Sequence, residues 1–91
     1  REYTLSRTQK FKTILQMEVG AMLVGRIVNY EDRGVAVRGK EKGMFQYGGS
    51  TIIVLTQKDA VNVREDLLIQ AELGQETAVK MGERIGYVKE N

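Results

Sequence analysis

The stretch Lys42 to Leu55 reads KGMFQYGGSTIIVL, and its Gly49–Ser50 bond carries the most chemistry in the chain. A serine hydroxyl can attack the carbonyl of the residue before it: the Oγ–C bond forms, the peptide C–N bond breaks, and the amide becomes an ester. Glycine at the preceding position clears the attack path and tolerates backbone conformations that other residues avoid. Elimination then expels the Gly49 carboxylate and cuts the chain, leaving a dehydroalanine whose enamine takes up water and loses ammonia to become an N-terminal ketone, a pyruvoyl group. The same residues also read as a plain turn in which glycine permits the bend and Ser50 satisfies a nearby backbone group. With ten glycines in 91 residues, Gly-Gly-Ser does not by itself choose between the two.

Composition narrows the other chemistry. The chain has no cysteine and no histidine, which removes disulfides, thiol nucleophiles and the usual proton shuttle near neutral pH. A metal would have to be held by carboxylates, and the adjacent pairs Glu31/Asp32 and Glu65/Asp66 sit in turn-like contexts that face water, so no metal site is expected. Fourteen basic and twelve acidic residues, spread along the chain, give a net charge of +2 and no tract suited to nucleic acid. No apolar run approaches the roughly 20 residues of a membrane helix.

The elements that must position Ser50 read mainly as β. In FKTILQMEV, Phe11, Thr13, Leu15, Met17 and Val19 alternate with Lys12, Ile14, Gln16 and Glu18, the period of a half-buried strand. AMLVGRIVN is apolar on both faces apart from Arg26, with Gly25 marking a bulge or a close backbone approach. Asn29–Gly34 is a polar turn, after which VAV resumes a short strand. TIIVL, directly after Ser50, reads as a buried strand with no face given to water. NVREDLLIQAEL allows one short helix, with Asn62 as N-cap and Gly74 as stop. Val37–Phe45 and Val79–Val88 share a Gly-x-x-x-Gly spacing, Gly39/Gly43 and Gly82/Gly86. That echo fits two similar hairpin turns, or a quasi-symmetric barrel of the lipoyl/biotinyl type. The fold expected is a single, mainly β domain over residues 1–91, a small antiparallel barrel or sandwich with at most one short helix.

Taken in order, REYTLS, MEVGAMLVGRIVN, KGMFQYGGSTIIVL and EDLL…ETAVKMGERIG resemble the C-terminal part of phosphatidylserine decarboxylases over essentially the whole chain. Tyr47 stands where that family often has Phe before the glycines. The resemblance implies that Gly49–Ser50 is a self-cleavage site, with residues 1–49 ending a larger β chain and residues 50–91 forming a small α chain. It implies that Ser50 becomes the pyruvoyl cofactor, forms a Schiff base with the amine of phosphatidylserine, and serves as electron sink while carbon dioxide leaves. Tyr47, Gly48 and Thr51 would shape the site. The family's processing uses an upstream His and Asp, and this chain has no His. The expectation is therefore a fragment, inactive alone, whose N-terminal portion lies elsewhere in the same proenzyme. The expected setting is peripheral, at the cytoplasmic face of a membrane, with self-association left open. Arg1, Arg7, Lys10 and Lys12 would offer a basic edge to anionic headgroups. The alternative is a biotinyl- or lipoyl-like carrier or binding module, because AVKM around Lys80 resembles the biotinylated AMKM of carrier domains.

Overall fold

A computed structural model describes residues 1–20, 26–30, 34–46 and 51–90. The elements run β1 (Glu2–Arg7), β2 (Thr13–Val19), β3 (Arg26–Asn29), β4 (Gly43–Gln46), β5 (Thr51–Thr56), β6 (Val61–Val63), α1 (Glu65–Glu72) and β7 (Gly86–Val88). All pairings are antiparallel: a three-stranded sheet β1-β2-β5, and the pairs β3-β4 and β6-β7. The mainly β reading with one short helix holds, and among the described residues the sheets do not close into a barrel.

The three-stranded sheet is built by a turn and a long return. Thr8 closes the β1–β2 turn: its N–H donates to the Lys12 carbonyl at 2.9 Å, and its hydroxyl accepts from the Phe11 N–H at 2.8 Å. Lys12 there adopts φ 59°. Strand β5 returns to lie against β2, with Val19 facing Thr51 and Ile14 facing Thr56. Directly paired residues share a face, so Tyr3, Met17 and Ile53 form one row, and Leu5, Leu15 and Leu55 the next. Glu2, Glu18 and Ile52 form a row on the opposite face.

Two sequence expectations change here. The alternation in β2 is present, but its buried residue is Glu18, 5% exposed, while Leu15 and Met17 are half-buried. TIIVL is a strand but not a buried one: β5 ends the three-stranded sheet and every residue from Thr51 to Thr56 is exposed. Its β-branched residues set the conformation, whereas burial requires a second layer. Among the described residues Ala60 is the one buried hydrophobic side chain.

The Gly-x-x-x-Gly echo has a structural counterpart. Gly39 and Gly82 take φ 84° and 82° in turns, where a β-carbon is disfavoured. Gly43 and Gly86 each open a strand, β4 or β7, and lie tight against the partner strand. A β-carbon on Gly86 would come 2.8 Å from the Asn62 carbonyl oxygen, and one on Gly43 would overlap that of Val28. These are two similar turn-and-strand units, each paired with the strand before it.

Other boundaries shift. Val35–Val37 is exposed loop, not strand. Asn62 belongs to β6, and α1 begins after Arg64 without a side-chain cap. The helix stops as expected: Gly74, at φ 72°, donates its N–H to the Ala71 carbonyl, and Gln75 donates to that of Gln70, a Schellman ending. Gly25 and most of the acidic turn after Tyr30 lie outside the described residues.

Candidate active site

Strand β4 ends at Gln46 and β5 begins at Thr51. Tyr47, Gly48, Gly49 and Ser50, four of the five residues expected at the site, lie outside the described residues; Thr51 is described and exposed. The surroundings of the two strand ends can be built from the residues upward.

On the Glu18 face of the sheet, Gln16, Glu18 and Ile52 line a cavity of about 190 Å³ together with Asn29, Lys42 and Phe45 from the β3–β4 unit. Glu18 and Glu2 are directly opposite on β2 and β1, an arrangement of like charges that is unfavourable unless each is compensated. Lys42 and Asn29 supply that compensation. Lys42 Nζ lies 2.5 Å from Glu18 Oε1 and donates also to Asn29 Oδ1 at 2.6 Å. The Asn29 amide then donates to the Glu2 carboxylate. The network pins the β3–β4 pair over the sheet.

Among the described residues, two buried acceptors have no hydrogen-bond partner, Glu18 Oε2 and Gln46 Oε1. Gln46 is the last residue of β4, and Glu18 faces Ile52 of β5, two positions after Ser50 in sequence. The cavity thus sets the Glu18 carboxylate and the Lys42 ammonium among apolar walls of Ile27, Met44, Phe45 and Ile52. Neither Glu18 nor Lys42 was singled out from the sequence. The signal was there: Glu18 interrupts the apolar run MEV, and Lys42 precedes a crowded strand-opening glycine.

A second charged cluster lies at the start of α1. Arg64 donates through Nε and Nη2 to both oxygens of Asp66, at 2.6 and 3.0 Å, and through Nη1 to Glu83 and to the Arg84 carbonyl, both at 2.7 Å. These charge-assisted bonds raise the Arg64 pKa and hold the Asp66 and Glu83 carboxyls below their ordinary range. The cluster ties the helix to the turn before β7 and is structural in character.

Of the basic residues, Arg7, Lys10 and Lys12 gather at the β1–β2 turn, while Arg1 lies beyond the other end of β1. Lys80 sits in an exposed turn, where Glu83 N–H donates to its carbonyl at 3.0 Å. Among the described residues no His, Cys, Asp and Glu side chains group closely enough to hold a metal ion. No helix among them is long and apolar enough to cross a membrane.

The sequence model described as phosphatidylserine decarboxylase matches residues 1–87. The chain belongs to the phosphatidylserine decarboxylase family. Phosphatidylserine decarboxylase proenzyme 2 of Clostridium acetobutylicum is 45% identical over 86 residues, covering 94% of this chain and 29% of that protein. The phosphatidylserine decarboxylase proenzyme of Clostridium botulinum (strain Langeland) is 43% identical over 90 residues, covering 98% of this chain and 30% of that protein. That of Clostridium tetani is 44% identical over 87 residues, covering 94% and 29%. The chain therefore spans about three-tenths of the length of these phosphatidylserine decarboxylase relatives. No solved structure matches it.

Proposed function

We propose that these residues are the part of a phosphatidylserine decarboxylase proenzyme that carries its self-cleavage site, Gly49–Ser50. The observation that carries this reading is the family match over residues 1–87, a span that includes Gly-Gly-Ser-Thr at residues 48–51. Cleavage would leave residues 1–49 at the end of the larger chain and make Ser50 the first residue of the smaller one, as its pyruvoyl group. That group supplies a ketone able to accept the amine of phosphatidylserine and to draw off electrons as carbon dioxide leaves.

This chain's own contribution is to mount and retain the reactive end. Strand β5 starts one residue after Ser50 and pairs with β2 through six facing residue pairs, from Val19–Thr51 to Ile14–Thr56. Because β2 falls in the larger chain and β5 in the smaller, a break between residues 49 and 50 leaves the two laddered together. The Lys42–Glu18 pair fixes β4, on the other side of the break, over the same sheet. Activation of the Ser50 hydroxyl calls for a base; the family resemblance implies an upstream His and Asp for it, and since this chain has no His, that part of the machinery would come from the remainder of the proenzyme. The residues by themselves would be inactive. A lipid substrate would place the enzyme at a membrane surface; its cytoplasmic side is the setting proposed from the family resemblance.

Intact-mass spectrometry of the complete proenzyme tests this. The expected result is two species divided between Gly49 and Ser50, the smaller lacking the mass of ammonia relative to a serine N-terminus. A single uncut mass from a folded, complete protein would overturn the reading.

A further inference from the structure

The Leu15/Met17 face of the three-stranded sheet is apolar by sequence, and among the described residues it is open along β1 and β5, with Leu15 and Met17 half-buried between them. Its two rows, Tyr3–Met17–Ile53 and Leu5–Leu15–Leu55, run across all three strands. Tyr3 is 56% exposed, Leu5 71%, Ile53 40% and Leu55 51%. Leu5, Leu15 and Leu55 line a hollow of about 340 Å³ on it. The opposite face is mixed, carrying Glu2, Thr4, Ser6, Gln16 and Glu18 together with Ile14, Ile52 and Val54, and Lys42 and Asn29 bring the β3–β4 unit over its Glu18 row. The mixed face is thus covered around Glu18, while the face with the two uninterrupted apolar rows stays open along β1 and β5, where a sheet in a finished domain would carry a second layer.

We propose that this face is the docking surface for the remainder of the proenzyme, which lays an apolar layer of its own across the two rows. Three observations select that occupant over a second copy or a lipid surface. The family relatives are single proenzymes of which this chain spans 29–30%, so more than two thirds of each lies outside it. These residues bury one hydrophobic side chain among those described, so the sheet lacks a core that the rest of the same polypeptide is long enough to supply. The rows themselves carry no charge; the basic residues Arg7, Lys10 and Lys12 gather at one end, at the β1–β2 turn, rather than rimming the patch as a lipid-facing surface would require. The inference rests on family membership and is independent of the chemistry assigned to Ser50.

The test places the photoreactive residue p-benzoylphenylalanine at Tyr3, a near match in shape, and separately at Leu55, in the complete proenzyme. Irradiation followed by peptide mass spectrometry should give links to segments of the same proenzyme copy outside these 91 residues, within the larger chain from Tyr3 and, in cleaved protein, between the two chains from Leu55. Links to a second copy, links to lipid, or no link at either position would overturn the proposal. A Leu5→Cys variant gives a second readout. Its thiol should react with a maleimide at least about tenfold more slowly in the native protein than in denaturant, as expected for a site reached only through opening. Equal rates, in a variant that keeps the parent melting temperature, would also overturn it.

Discussion

Lys42 Nζ lies 2.5 Å from Glu18 Oε1 and so joins the strand pair β3–β4 to a carboxylate that is 5% exposed. A carboxylate so deeply placed between Glu2 and Ile52 depends on that ammonium, because a buried charge is tolerated when it is paired.

Lys42→Met in the complete proenzyme should therefore destabilise by about 1–3 kcal/mol, the cost of leaving a buried acceptor uncompensated, reduced by the partial exposure of Lys42. Glu18→Leu combined with Lys42→Met should recover much of the loss, because a matched apolar pair no longer strands a charge. Denaturant titration of both variants measures this, and equal stability of the single and double variants would contradict it.

The glycine echo predicts two different sensitivities. Gly39 and Gly82 are required by positive φ with open space around them. Alanine there should cost about 1 kcal/mol, and asparagine, which tolerates that conformation, less. Gly43 and Gly86 are required by space against the neighbouring strand, so alanine should cost about 1–3 kcal/mol and asparagine at least as much. Thermal melts of the eight single variants compare the pairs directly.

The Arg64 cluster predicts an acid-dependent contribution. Asp66 and Glu83 have lowered pKa values in the folded protein, mainly through hydrogen bonds from Arg64. Their stabilisation is complete above the unfolded carboxylate values, 3.8 for Asp66 and 4.5 for Glu83, and is lost as pH falls from there through the folded values. Arg64→Met should lower the melting temperature by a few degrees at neutral pH and leave little difference from the parent once both carboxyls are protonated. A difference that persists unchanged at the acid end would assign the effect to packing.

Ser50→Ala in the complete proenzyme should give a single uncut chain with no decarboxylation and a melting temperature close to the parent's. Activity retained in the uncut variant would remove Ser50 from the chemistry.

The local structure was largely legible in the residues. Alternation in FKTILQMEV marked β2, β-branching in TIIVL marked β5, and Gly74 marked the end of α1. Asn62 misled because it has the chemistry of a helix cap, while its backbone is committed to pairing with Tyr87. Val35–Val37 misled because three residues with β preference make a strand only where a neighbour offers its backbone.

The sequence by itself determined the strand-rich class and the family, and it singled out the Gly49–Ser50 bond as the candidate site in a stretch without His or Cys. Those follow from residue types and their order along the chain. Only the tertiary structure decided that Glu18 is buried against Lys42 and that, among the described residues, β5 ends its sheet and the apolar rows stay open along β1 and β5. The physical reason is that alternation sorts side chains onto two faces but carries no information about what lies against either; that depends on contacts such as Glu18–Lys42, which join residues far apart in the chain.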